Sequence, residues 1–246
     1  MKYNILLTND DGFDAKGIIE LHDKLKNDYN VYVLAPESEQ SGFSHKITLD
    51  RPILLRNFHI GDYKGYKLNG TPCDCTKLAL HNIYADKIDL VVSGINRGSN
   101  NGISVHYSGT VAAVKEAAFH NVPGVAISLY SYFDEKFDEA AIFLKRYLDQ
   151  NIETIIKRKS TLNINIPERV DYNKDPVYCK LGLGNFTSPY LNFKHERRNF
   201  FFAGGPEKDI DLNDDNDDKN ITDDRITITP LTIDMTNFEE LKFWKK

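Results

Sequence analysis

The sequence predicts an α/β fold: a mostly parallel sheet with helices on both faces, followed by a β-rich C-terminal extension. Three observations predict it. Short continuous apolar runs, beginning with residues 5–7, alternate with helix-like segments through the first two-thirds of the 246 residues. The first run, Ile5-Leu6-Leu7, is continuous and apolar, as a central parallel strand covered on both faces requires. After Pro167 that alternation stops, and strand-like runs are separated by polar loops. The boundary divides a core of residues 1–167 from an extension of the same domain, residues 168–246.

The core strands are expected at residues 5–7, 31–34, 90–93, 125–128 and 162–166. A helix is expected over 18–25, where Ile18, Ile19, Leu21 and Leu25 recur at helical spacing. A second covers 75–84, with Pro72 suited to its start. A third, 111–119, is rich in strong helix formers. A fourth covers 137–148 and ends near Asn151. Residues 48–68 carry only short β-like pieces, Ile53-Leu54-Leu55 and Tyr66-Lys67-Leu68, as at a sheet edge. In the extension, 177–181, 199–203 and 225–229 read as strands whose exposed edges suit pairing with another subunit.

Composition narrows the function classes. The net charge of -5 leaves no general basic face, which argues against stable nucleic-acid binding. Much of the acidity is local to residues 209–224, which read as a solvated, mobile loop and lack the spacing of an EF-hand. No apolar run reaches transmembrane length, so no membrane association is expected. The N-terminal run lacks a signal peptide's longer apolar stretch, and a cytoplasmic location follows as the expectation. Cys73, Cys75 and Cys179 make neither a disulfide framework nor a four-ligand zinc site, and read as reduced structural thiols.

Chemistry concentrates where strands end. Ile5-Leu6-Leu7 runs into Thr8-Asn9-Asp10-Asp11-Gly12, which is also good turn chemistry. Two adjacent carboxylates at the carboxyl end of a buried strand repel, and a hard divalent cation removes that cost. Residues 31–34 lead to Gln40-Ser41-Gly42-Phe43-Ser44, and residues 90–93 to Gly94-Ile95-Asn96. Parallel strands deliver all three loops to one edge, where Asp10, Asp11, Ser41 and Asn96 make an all-oxygen donor set suited to Mg²⁺, Mn²⁺ or Ca²⁺. Ser108, Gly109 and Thr110 precede an Ala-rich helix whose N-terminus suits phosphate, although Ser108 or Thr110 can equally cap that helix.

These blocks, together with Gly70-Thr71-Pro72-Cys73-Asp74-Cys75, Tyr107-Ser108-Gly109-Thr110-Val111-Ala112-Ala113 and Ile228-Thr229-Pro230-Leu231, resemble the SurE (survival protein E) family of metal-dependent 5′-nucleotidases. Order and spacing hold over most of the chain. The resemblance implies a Rossmann-like core and a β extension that builds homodimers or homotetramers. It implies one Mg²⁺ or Mn²⁺ per subunit on Asp10, Asp11, Ser41 and Asn96, with Asp10, Asp11 and Asn96 as the catalytic set. It places phosphate at Ser108, Gly109 and Thr110, with Gly42 and Ser44 close by and Asn9 holding the acid pair or the substrate. The departures are Lys16, where a Pro is common, and the acidity of residues 209–224.

The function so implied is hydrolysis of nucleoside 5′-monophosphates by metal-activated water. The preferred base, action on 3′-phosphates and action on short polyphosphate stay open, as does the general acid; His45 and His106 lie near the loops. The alternative is a receiver-like Mg²⁺-binding signalling module. It needs a phospho-accepting Asp after a later central strand, where Val91-Val92-Ser93-Gly94 offers none, and a chain about half as long. Neither G-x-x-x-x-G-K-[ST] nor G-x-G-x-x-G is present, which argues against a kinase or dehydrogenase.

Overall fold

The computed structural model describes residues 2–131, 136–184, 190–202, 210–212 and 215–245. The chain opens with β1 (Asn4–Thr8), α1 (Lys16–Leu25) and β2 (Asn30–Pro36), then makes a hairpin of β3 (Leu55–Ile60) and β4 (Tyr63–Leu68). Next come α2 (Pro72–Leu78), β5 (Leu90–Arg97), α3 (Gly109–Phe119), β6 (Gly124–Leu129), α4 (Phe137–Arg158) and β7 (Thr161–Ile166). The remainder holds β8 (Val177–Tyr178), the hairpin β9 (Leu191–His195) and β10 (Arg198–Phe202), α5 (Asp217–Thr222), β11 (Thr227–Leu231) and α6 (Phe238–Trp244). A nine-stranded sheet runs β3-β4-β2-β1-β5-β6-β7-β11-β8; β9 and β10 stand apart from it. From β4 to β7 every neighbour is parallel, whereas β3 on β4 and β11 on β7 are antiparallel. The expected mostly parallel α/β sheet is present.

The apolar runs have the cause the sequence suggested. Successive strand side chains face opposite sides. Ile5 and Leu7 therefore join a core cluster with Ile18, Leu21 and Leu25 of α1 and Leu144 and Leu148 of α4. Leu6, between them, joins Cys75 of α2 and Val111 and Val114 of α3 on the other face. All three β1 residues are fully buried, and fully burying each is worth about 1.5–3 kcal/mol.

Several boundaries moved for identifiable reasons. α4 continues past Asn151 to Arg158, because the Asn151 amide donates back to the Tyr147 carbonyl at 2.8 Å and buried Ile152 and Ile155 extend the apolar face. It ends where Lys159 takes a left-handed φ of 52°. The second helix starts earlier, at Pro72, on a capping box between Thr71 and Asp74, and its last turn widens into a π-helical turn, Ala79–Ile83. Ile53 and Leu54 precede β3, a strand in which only Phe58 is buried, so no apolar run announces it. β9 and α6 had no counterpart in the sequence reading. Of the expected 199–203 strand, Ala203 lies outside the described residues. No helix among the described residues is long and apolar enough to cross a membrane.

The acidic segment is the main correction. Asp209, Asn213 and Asp214 lie outside the described residues, but Asn216, Asp217 and Asp218 are fully or almost fully buried, and the two aspartates open α5. A solvated loop is not what forms there. Asn216 caps α5 by accepting from the Lys219 N–H at 2.9 Å, a helix start written in its Asn followed by acidic residues.

Candidate metal and phosphate site

Chain order and sheet order diverge at β1. The chain steps from β1 to β2 on one side and later returns through β5 on the other. That makes the crevice beyond the carboxyl ends of β1 and β5 a topological switch point, where ligands bind in open α/β sheets. Asp10 and Asp11 follow β1 directly, and Asn96 lies at the end of β5. A register shift between Ser93 and Asn96 on the β6 side re-aims this strand end. Gly94 makes the bulge feasible: its φ is +134°, and a Cβ there would stand 2.3 Å from the Ile127 carbonyl oxygen.

The loops converge. Gln40 N–H donates to the Asp10 carbonyl at 2.7 Å, tying the segment after β2 to the acid pair. Ser44 closes the other side, donating through N–H to the Tyr107 carbonyl at 3.1 Å and through its hydroxyl to the His106 carbonyl at 2.5 Å. Asn9 is fully buried and braces the turn itself, its amide donating to the Gly12 carbonyl at 2.8 Å and accepting from Gly12 N–H at 3.2 Å.

Both carboxyls are held protonation-prone. Burial raises Asp10 above the ordinary carboxylate range, against hydrogen bonds from the Thr110 hydroxyl and the Thr110 and Gly109 backbone. Burial, then the charges of Asp10 and Glu39, push Asp11 up to about 7, with Arg97 opposing. Gly109 fits because it lacks a side chain: a Cβ would lie 2.9 Å from Asp10 Cβ and 3.0 Å from its Oδ2. The first turn of α3, read as a phosphate turn, thus also holds Asp10. Ser108 is the α3 cap, its Oγ accepting from Val111 N–H at 3.1 Å.

The remaining residues differ in readiness. Asn96 is 9% exposed and its amide donates to the Gly98 carbonyl at 2.7 Å, which turns Oδ1 into the group left to coordinate. Ser41 is exposed, with its hydroxyl donating to Glu39 Oε1 at 2.7 Å. Gly42 has φ +74° and open space where a Cβ would stand. Two neighbouring carboxyls made unwilling to ionise, with the oxygens of Ser41 and Asn96 on adjoining loops, suit a hard divalent cation, which would restore both to anions.

Two supports were invisible in the sequence reading. Asp217 accepts from the Gly102 N–H at 3.0 and 3.1 Å and from the Gly182 N–H at 2.7 Å. Asp218 accepts from the Asn101 amide at 2.5 Å and the Gly184 N–H at 3.2 Å. Together they clamp the stretch between Asn96 and Ser108, at the start of the 3-10 turn Gly102–His106. The other is Glu116 of α3, buried and within hydrogen-bond distance of His45 Nε2 at 2.8 Å and His120 Nε2 at 2.9 Å. Burial raises its carboxyl, but those two histidines and Lys77 bring it down to about 2.

With this geometry in place, the chain can be set beside known proteins. The family model described as Survival protein SurE matches residues 5–187. The protein named 5′-nucleotidase SurE of Clostridium botulinum (strain Eklund 17B / Type B) is 36% identical over 252 residues, covering 99% of this chain and 98% of the relative. The 5′-nucleotidase SurE of Desulforudis audaxviator is 39% identical over 252 residues, covering 98% and 96%. A crystal structure of the SurE protein from Aquifex aeolicus superposes with a TM-score of 0.84 at 29% identity, covering 99% of this chain and all of that one. The acid pair after β1, the bulged end of β5 and the capped start of α3 all lie inside the matched span, and the chain belongs to the SurE family.

Proposed function

We propose that this chain is a metal-dependent phosphomonoesterase that hydrolyses nucleoside 5′-monophosphates, with Mg²⁺ or Mn²⁺ held by Asp10, Asp11, Ser41 and Asn96. The observation that supports the reading is the acid pair at the switch point of the sheet, with Asp10 buried against the N-terminus of α3 and Asp11 half-buried beside it. The relatives' shared name, 5′-nucleotidase, supports the reaction class. When bound, the cation supplies neutralisation of phosphate charge and activation of a water nucleophile.

The protein's own groups do the positioning. Asp10 is fixed by Thr110 and Asp11 is flanked by Arg97, so the pair is pre-set before any ligand arrives. Ser108 accepts from Val111 N–H and keeps its hydroxyl proton to donate to a phosphate oxygen. The open space at Gly42 leaves room for the phosphate beside the segment that Ser44 ties down. Residues 1–167 carry every group in this site, and residues 168–246 contribute the Asp217–Asp218 clamp and exposed apolar surface for a second copy. The three cysteines are free and buried, which supports work in a reducing compartment such as the cytoplasm.

The test is a panel of 5′- and 3′-nucleoside monophosphates and short polyphosphate, assayed for phosphate release after chelation and after return of Mn²⁺ or Mg²⁺. Turnover of 5′-monophosphates that vanishes with chelator and returns with metal is expected. Full turnover in excess chelator would reject the metal-dependent reading.

A further inference from the structure

A second group of potential ligands lies apart from the all-oxygen set. His45 follows the β2 loop, Cys73 sits in the first turn of α2 and Glu116 lies two turns into α3. One ligand atom from each of the three falls within 4.8 Å of the other two. Cys73 has no exposed surface and the Glu116 side chain is 5% exposed, whereas His45, at 24%, is the side open to entry. Three elements distant in sequence thus aim a thiol, an imidazole and a carboxylate at one point.

We propose that His45, Cys73 and Glu116 form a second cation site, selective for zinc and separate from the hard-cation site at Asp10 and Asp11. The donor chemistry selects the ion. Thiolate and imidazole favour Zn²⁺, and a set of only carboxylates, amide and hydroxyl favours Mg²⁺ or Mn²⁺. Tetrahedral bonds of about 2.0–2.3 Å place zinc ligands about 3.3–3.8 Å apart, so the 4.8 Å limit of the cluster closes by roughly 1 Å and the 2.8 Å His45–Glu116 contact opens by about 0.5 Å.

Charge also balances. On binding, a sulfur–zinc bond forms as the Cys73 S–H bond breaks and its proton leaves to solvent. The thiolate and the Glu116 carboxylate then neutralise the dication. Lys77, whose Nζ is 3.7 Å from Glu116 Oε1, is half exposed and free to swing outward. His45 Nε2 turns from Glu116 to the metal, and His120 stays on Glu116 Oε1 at 2.9 Å as the outer partner that orients a ligating carboxylate. His81 Nε2, 3.0 Å from His120 Nδ1, in turn steadies that ring. Three protein ligands leave a fourth position for water.

The site would staple the segment carrying Ser41, Gly42 and Ser44 to α2 and α3. Its existence does not depend on the phosphatase reading, because the readout is metal coordination and not turnover.

The experiment titrates metal-stripped full-length protein with Co²⁺ in excess Mg²⁺, following the near-ultraviolet thiolate-to-cobalt charge-transfer band. One equivalent should produce the band, and Zn²⁺ should abolish it. Asp11→Asn should keep it, Cys73→Ser should lose it, and His45→Ala should weaken Co²⁺ binding by at least about tenfold. A wild-type protein that shows no charge-transfer band at full Co²⁺ loading overturns the proposal. So does a band unchanged in Cys73→Ser. If Cys73→Ser does not fold, unaltered Co²⁺ affinity in His45→Ala overturns it, since that ring is partly exposed and lies outside the apolar core.

Discussion

The first turn of α3 packs on and hydrogen-bonds Asp10, and single residues decide whether that arrangement holds. Gly109→Ala separates backbone preference from site geometry. Ala is the better helix former by about 0.5–1 kcal/mol, yet its Cβ would press on Asp10 at 2.9 Å. Stability should therefore change by no more than about 1 kcal/mol, while kcat/KM for a 5′-monophosphate falls at least tenfold, since displacements near 1 Å cost up to about 10²-fold. Thermal melts and steady-state kinetics on one preparation read both. Thr110→Val tests the other side of the contact. It removes the hydroxyl that donates to buried Asp10 and should cost about 1–3 kcal/mol in urea unfolding. A neutral result would mean that the bond contributes nothing.

At the scale of elements, the acidic run before β11 shows where local reading fails. β1 and the strand after it were legible because burial on both faces demands apolar residues that composition displays directly, and the site loops were legible because parallel strands must deliver their ends to one edge. Asp217 and Asp218 were not. Their burial depends on N–H groups of Gly102, Gly182 and Gly184, donors remote in sequence whose placement only the tertiary fold provides. β3 escaped for a related reason, since an edge strand with one buried side chain carries little pattern. The clamp predicts a contrast within one acidic run. Asp217→Ala strands the Gly102 and Gly182 donors and should destabilise by about 3 kcal/mol. Asp223→Ala removes only an exposed partner of Lys219 and should stay within about 0.5 kcal/mol. Equal effects from the two would contradict the clamp.

At the scale of the whole molecule, apolar surface gathers where the sheet does not reach. Every residue of β9 and β10 is exposed, including Phe193, Phe200, Phe201 and Phe202, and α6 buries none of its residues while presenting Phe238, Phe243 and Trp244. Uncovered apolar side chains of this kind mark interaction surfaces, and a second copy of the chain is the expected occupant. Light scattering on a sizing column should give a multiple of 28.1 kDa for the wild type, and Phe201→Asp with Phe243→Asp should reduce it to a monomer with an unchanged circular dichroism spectrum. A monomeric wild type would leave that surface without its expected occupant. The acid pair at the switch point remains the centre of the account, and phosphate release from AMP in saturating Mn²⁺ by wild type and by Asp10→Asn with Asp11→Asn tests it most directly. The account predicts a loss of at least about 10²-fold in kcat for the folded double variant, whereas turnover equal to wild type would contradict it.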